Sequence, residues 1–160
     1  MNSKAADGPD FQKEEFRTLN GYRRQRISRM TESMEDYLEM IFRMTAMSDR
    51  NNEAGIPKSQ AAVGVNEVAS LLHVRPSSAS KMTGKLREQG WVTFEKYGQI
   101  RLTEQGRERG AYLLWRHNVL SEFFRRLNHS EGELRQVEQI EHFMDEQTIQ
   151  NLEKLIPLLP

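Results

Sequence analysis

The sequence predicts a mainly α chain: an N-terminal winged helix-turn-helix with a small two-stranded β wing, followed by an α-helical region. Three observations predict it. Apolar residues recur at helical spacing in Met34, Tyr37, Leu38, Ile41 and Phe42, and again along 104–127. The string from Val65 to Leu86 reads as two short helices joined at His73-Val-Arg75, and an alternating segment follows it. Gly90 and the Asn128–Gly132 stretch mark where helices stop further along.

Taken in order, residues 1–10 are small and polar, and predict disorder. Residues 11–30 set Phe11, Phe16, Leu19 and Tyr22 among charges, with Arg23, Arg24, Arg26 and Arg29 at the end, which suits a short docking helix. Ser33 is placed to cap the first strong helix. Residues 48–64, with Asp49, Asn51, Asn52, Gly55, Pro57 and Gly64, read as a loop. Asn66 is placed to cap Glu67–Leu72. Pro76 opens the next helix, at a position whose N–H has no intrahelical partner to lose, and Gly90 stops it. Trp91–Glu95 and Gln99–Leu102 alternate as strands around a turn at 96–98. Thr103 caps a long helix from about Glu104 to Leu127, and Asn128–Gly132 breaks it. Further helices are expected over Glu133–Met144 and Glu146–Leu155. The expected division is an extension over 1–30, a DNA-reading unit over 31–102 and a helical unit over 103–160.

Composition bounds the chemistry. The 160 residues hold no cysteine, so disulfides and thiolate metal sites are excluded. No apolar run is long enough to span a bilayer and there is no signal peptide, so a cytoplasmic location and no membrane partner are expected. Net charge is zero but unevenly spread. Residues 57–110 carry nine Lys/Arg against five Asp/Glu; residues 31–56 carry two against six, and 111–160 five against eight. The basic excess lies on the helix-turn-helix and the acidic excess on either side of it.

The helix opened by Pro76 is the candidate reading helix. Arg75, Ser77, Ser78 and Ser80 supply short or forked donors near its start, suited to base edges or phosphates. Lys81 and Lys85, four apart, suit phosphates, and Lys96 at the wing tip can reach the flanking backbone. Serines at a helix start also serve as caps, and exposed lysines as a solvated face.

The candidate metal ligands fall in three clusters: Asp36 with Glu39, His117 alone, and Glu138 with Glu141 and His142. Spacings of three and four put each cluster on one helix face. Carboxylate and imidazole donors suit hard to borderline divalent ions. Singly, each residue also has an ordinary role: helix-start charge for Asp36, solvated face for Glu39, surface charge for Glu138 and Glu141, satisfied bundle histidine for His117. His73 and His129 lie in a turn and a loop and read as non-ligands.

Six strings carry a resemblance: Ser33-Met-Glu-Asp-Tyr-Leu-Glu39, Val74-Arg-Pro-Ser-Ser-Ala-Ser-Lys-Met82, Phe94-Glu-Lys-Tyr97, Leu102-Thr-Glu-Gln-Gly106, Arg116-His117 and Val137-Glu-Gln-Ile-Glu-His142. From about Met30 to Leu155 the chain resembles the DtxR/MntR family of metal-dependent repressors, in its manganese-responsive branch. The resemblance implies a homodimer on a palindromic double-stranded DNA operator, with no small organic substrate. It also implies two Mn²⁺ ions per subunit, held by the residues that match Asp36, Glu39, His117, Glu138, Glu141 and His142. Fe²⁺, Zn²⁺, Cd²⁺ or Co²⁺ can substitute. In iron-responsive relatives the positions of Asp36 and Glu138 are typically Met and Cys, so two carboxylates here favour manganese. The 48–64 loop is longer than the usual link, the first 30 residues have no counterpart in short members, and no SH3-like third domain is expected. Two other classes compete: a metal-independent winged-helix regulator of the MarR type, and a dinuclear helical-bundle metalloenzyme. The first leaves the ligand clusters unexplained; the second needs Glu-x-x-His on two helices, which the chain lacks. No catalytic residue is expected.

Overall fold

The computed structural model describes residues 30–50, 62–95, 98–130, 132 and 134–160, with the side chains of 48–50 left aside. The expected docking helix over 11–30, apart from Met30, and the wing-tip Lys96 lie outside the described residues, as does most of the 48–64 loop. The elements in order are α1 (Glu32–Arg50), β1 (Val63–Gly64), α2 (Val65–Leu71), α3 (Pro76–Glu88), β2 (Val92–Phe94), β3 (Gln99–Leu102), α4 (Glu104–Leu127), α5 (Leu134–Ile140) and α6 (Glu146–Leu155). Single 3₁₀ turns follow α5 (Glu141–Phe143) and α6 (Ile156–Leu158). No described helix is long and apolar enough to cross a membrane.

Local chemistry accounts for most boundaries. Thr103 caps α4 as expected, its hydroxyl accepting the Gly106 N–H at 3.0 Å. Asp145 does the same for α6 through the Thr148 N–H at 2.9 Å. Two expected caps are replaced by neighbours. Thr31, not Ser33, accepts the Met34 N–H, because α1 starts two residues earlier, at Glu32. Asn66 lies inside α2, whose cap is Gly64; the Glu67 carboxylate reaches back to accept the Gly64 N–H at 2.9 Å. Helix α3 ends as Gly90 predicts. Gly90 adopts φ 82°, and the Trp91 N–H donates to the Leu86 carbonyl at 3.0 Å. His73 makes the same reversal between α2 and α3 at φ 53°, with the Val74 N–H donating to the Ala69 carbonyl.

Three expectations change. Helix α1 runs on to Arg50, so residues 48–50 are helical rather than loop. The two-stranded wing gains a third strand: β1 pairs antiparallel with β3, giving the order β1-β3-β2. The helix expected over Glu133–Met144 stops at Ile140, and Glu141–Phe143 tightens into the 3₁₀ turn.

Two apolar cores result. In the first, Leu38 and Ile41 of α1 meet Val68 of α2, Leu86 of α3, Ile100 of β3 and Leu113 of α4. In the second, Val119 and Leu120 of α4 meet Val137 of α5 and Ile149 of α6. Each fully buried Leu, Ile or Val contributes about 1.5–3 kcal/mol of transfer free energy. Helix α4 feeds both cores, and its Arg116 and His117 fall between Leu113 and Val119. Helix α1 lies against α4 closely enough that Phe42 occupies the space where Gly110 would carry a Cβ, 2.7 Å from the Phe42 Cβ. The seam between the cores is where the polar clusters meet.

Candidate metal centre and nucleic-acid face

Four elements deliver the six candidate ligands to that seam. Helix α1 brings Asp36 and Glu39, α4 brings His117, α5 brings Glu138, and the 3₁₀ turn brings Glu141 and His142. Glu39, His117, Glu141 and His142 are buried; Asp36 is half-buried and Glu138 lies at the rim with its side chain 48% exposed. The expectation that Glu138, Glu141 and His142 share one face of a single helix is not met, because the helix ends at Ile140. The tightened turn swings Glu141 and His142 inward and leaves Glu138 at the edge.

The donor atoms form two groups, Asp36 with Glu141 and His142, and Glu39 with His117 and Glu141. Glu141 belongs to both. In one, His142 Nε2 lies 3.0 Å from Asp36 Oδ1 and 4.0 Å from Glu141 Oε1. In the other, His117 Nδ1 lies 3.1 Å from Glu141 Oε2, 3.6 Å from Glu138 Oε1 and 3.9 Å from Glu39 Oε1. A cavity of about 200 Å³ opens here, and Met40, Arg43, Leu72 and Leu134 complete its walls. Arg43 holds Glu39 from the next turn of α1 at 2.6 Å.

The electrostatics follow from five carboxylates, Glu35, Asp36, Glu39, Glu138 and Glu141, around two imidazoles. Burial works against a charged His117, but the hydrogen bond to Glu141 and the charges of Glu39 and Glu141 outweigh it, and its pKa rises. For His142 burial is again opposed, here by hydrogen bonds to Asp36 and Glu35, which lift the ring to about 9. Burial and the neighbouring Glu141 charge push the Glu138 carboxyl up. The pocket therefore favours positive charge at its centre, and its donors are oxygen and imidazole nitrogen. That donor set fits a divalent cation of the hard to borderline kind.

Glu35 is a residue that sequence reasoning missed. It is 4% exposed, and its carboxylate takes Arg109 at 2.6 Å, Arg116 at 3.0 Å and His142 Nδ1 at 2.9 Å. Burial alone would raise its pKa; the His142 hydrogen bond and the Arg116 and Arg109 charges bring it down to about 2. One signal was available: Glu35 and Glu39 are four apart and share the face that carries Asp36. His73 and His129 sit in the positive-φ turns that end α2 and α4, outside both donor groups.

On the far side, α3 buries Ala79, Thr83 and Leu86 and exposes Ser77, Ser78, Lys81 and Lys85. Arg75, at the helix cap, is exposed, and Ser80 is half-buried. The exposed residues Ser77, Lys81 and Lys85, each four apart, form one stripe that can face a groove and its phosphates.

Comparison with known proteins decides the family. The chain is 35% identical over 127 residues to the HTH-type transcriptional regulator MntR of Geobacillus kaustophilus (strain HTA426), covering 79% of this chain and 82% of that protein. The same-named regulator of Lysinibacillus sphaericus (strain C3-41) is 32% identical over 81% of this chain and 85% of its own length. The chain belongs to the DtxR/MntR family of metal-dependent repressors. Two family patterns agree: the iron dependent repressor N-terminal DNA binding domain matches residues 55–100, and the iron dependent repressor metal binding and dimerisation domain matches 103–157. Membership makes the protein a metal-dependent, DNA-binding transcriptional repressor. Among solved structures, the metal-dependent transcriptional regulator MtsR is 25% identical with a TM-score of 0.62 over 80% of this chain. The manganese regulator SloR, 23% identical with the same TM-score, shares the fold. The chain spans 55% of the length of each of these two. Helix α3 falls inside the stretch that matches the DNA binding domain, and His117, Glu138, Glu141 and His142 fall inside the stretch that matches the metal binding and dimerisation domain.

Proposed function

We propose that the protein represses metal-uptake genes in response to Mn²⁺, as a homodimer on a palindromic operator, with two ions per subunit. One observation carries the reading: two donor groups, without a thiolate, share the Glu141 carboxylate. Asp36, Glu141 and His142 would hold one ion, and Glu39, His117 and Glu141 the other, with Glu138 at the rim within reach of the second. Oxygen-rich donors and the carboxylates at Asp36 and Glu138 favour Mn²⁺; Fe²⁺, Zn²⁺, Cd²⁺ and Co²⁺ share enough of its chemistry to substitute, and the Irving–Williams order favours Zn²⁺ over Mn²⁺ in a test tube. The relatives named MntR support the same metal-regulated class.

When bound, such cations supply the positive charge that four converging carboxylates require. The chain does the rest. Asp36 and Glu39 ride on α1, which also packs on α2 and α3, and Leu72 at the end of α2 lines the cavity. Glu141 and His142 are anchored on α4 and on the second core. Carboxylate charge in excess of what the imidazoles offset repels and loosens α1 from α4; neutralised by cations, the carboxylates would let the two close. The position of α1 then fixes α3 relative to its copy in the dimer. Two reading helices must lie about 34 Å apart, or a multiple, to enter successive major grooves. Arg75, Ser77, Ser78, Ser80, Lys81, Lys85 and the wing-tip Lys96 would make the contacts, residues 31–102 forming the reading unit and 103–160 the metal-binding and dimerising one.

The coupling expected between metal and DNA is on the order of 1–3 kcal/mol. A titration of the chain's own promoter region, in chelator and in saturating Mn²⁺, tests the reading. Operator affinity should rise at least about tenfold, equivalent to about 1.4 kcal/mol. Equal affinity under both conditions would remove the sensor role.

A further inference from the structure

We propose that Glu35 is the positioning residue of the metal centre: its carboxylate takes the His142 Nδ1–H and so turns His142 Nε2 toward Asp36 and Glu141. The proposal rests on the metal-site reading above and assigns a role to a residue outside the six candidate ligands.

The geometry leaves the ring little choice. Nδ1 lies 2.9 Å from Glu35 Oε2, and Nε2 lies 3.0 Å from Asp36 Oδ1 on the opposite side. A buried carboxylate flanked by two guanidinium groups is ionised and can only accept, so Nδ1 must carry a proton. Arg116 Nη2 also lies 3.3 Å from Nδ1, but both are donors in that state; Arg116 donates instead through Nη1 to Glu35 at 3.0 Å, while its buried Nε has no partner among the described residues. With Nδ1–H committed, Nε2 is the nitrogen whose lone pair a cation can use. An imidazole ligand whose second nitrogen donates to a carboxylate is held in tautomer and orientation and is more basic toward a metal.

Glu35 is itself held. Arg109 and Arg116, two turns apart on α4, grip its two oxygens at 2.6 and 3.0 Å, and Arg116 is 1% exposed. The clamp thus joins α1, α4 and the 3₁₀ turn through one carboxylate, so orienting His142 and registering α1 against α4 become a single event. The site is complete only when the helix under the reading head is seated.

The test uses the full chain with ¹⁵N-labelled imidazoles, metal-stripped and loaded with diamagnetic Cd²⁺. Wild type should show a downfield, slowly exchanging His142 Nδ1–H resonance in both forms, assigned by its loss in His142→Gln. Glu35→Gln should shift or erase that resonance and weaken Mn²⁺ binding about 10- to 100-fold. In a His142→Gln background the same change should alter Mn²⁺ affinity less than about twofold, because the two residues act as one unit. An unprotonated Nδ1 in the wild type, or an equal fold-loss in both backgrounds, would overturn the proposal and leave Glu35 as a helix tie only. Should Glu35→Gln fail to fold for want of a counter-charge on Arg116, the wild-type spectra decide alone. Should the wild type bind neither ion, the metal reading fails while the metal-stripped spectrum still decides the role of Glu35.

Discussion

Glu141 turns one carboxylate oxygen to His117, 3.1 Å away, and the other to His142, 4.0 Å away. It is 1% exposed and, among the described residues, is the side chain common to both donor groups, so it joins the two halves of the site. Asp36 belongs to one group only and Glu39 to the other. This asymmetry makes the arrangement testable.

Glu141→Gln should weaken both ions together, because it removes the shared charge while keeping volume. Asp36→Asn should weaken one ion and Glu39→Gln the other. The expected losses are about tenfold or more per ion, or at least about 1.4 kcal/mol, from removing one charged ligand. Calorimetric Mn²⁺ titrations give affinity and stoichiometry for each variant. A Glu141→Gln protein that lost only one class of site would mean that the carboxylate does not bridge.

The raised histidines set a pH dependence. His142 titrates near 9, against 6.5 for a free imidazole, and His117 is also raised. Mn²⁺ must displace the Nε2 proton of His142, so affinity should climb from pH 6.5 to about 9 with net proton release. Stability of the metal-stripped protein should run the other way. A group whose folded pKa is raised contributes fully below its unfolded pKa and loses that contribution as pH passes the folded one. Protonated His142 therefore stabilises at pH 6 and below, on the order of 3 kcal/mol, and ceases to do so above about 9. Melting curves with and without Mn²⁺ from pH 6 to 9 should diverge. Parallel curves would show that the imidazole proton and the cation do not compete.

Much of this was readable from the chain because the deciding signals are local. Thr103, Pro76 and Gly90 act within one turn of where they stand, and the helices they bound run as the spacing predicts. The 3₁₀ turn at Glu141–Phe143 was not readable, since no Gly or Pro breaks that stretch. The break is tertiary: Glu141 and His142 turn inward to meet α4 and Glu35. Glu35 shares a helix face with Glu39 in the sequence, but its partners were hidden for the same reason. As a helix-start acid it is unremarked until Arg109 and Arg116, 74 and 81 residues away, are brought against it. Strand β1, two residues long, exists only because β3 offers it an edge.

On the DNA face, Lys81→Ala and Lys85→Ala should weaken binding to all sequences alike. Each lost phosphate contact should flatten the salt dependence by about one unit of log–log slope. Replacing Ser77 or Ser78 should instead change the ranking of operators. Both sets are exposed on α3, so stability should stay within about 0.5 kcal/mol of wild type. Unchanged salt slopes in both lysine variants would show that α3 is not the helix that meets the phosphates.

The packing of α1 on α4 gives a final prediction that separates the reading helix from the metal seam. A Cβ on Gly110 would meet Phe42 Cβ at 2.7 Å and its ring at 2.9 Å, so Gly110→Ala forces α1 away from α4. Overpacking of this kind costs about 1–3 kcal/mol. Because α1 carries Asp36 and Glu39 while α4 carries His117, the same shift should pull the donors apart and weaken Mn²⁺ binding. Gly84 is the contrast: it lies inside α3 and nothing stands within 4 Å of an added Cβ. Gly84→Ala should stabilise by about 0.5–1 kcal/mol through helix propensity and a less flexible unfolded chain, and leave Mn²⁺ affinity unchanged. Thermal melts and Mn²⁺ titrations on the two variants give four numbers. If Gly110→Ala lowered stability yet bound Mn²⁺ as tightly as wild type, the donors would not depend on the close approach of the two helices, and metal binding could not be what seats α1 on α4.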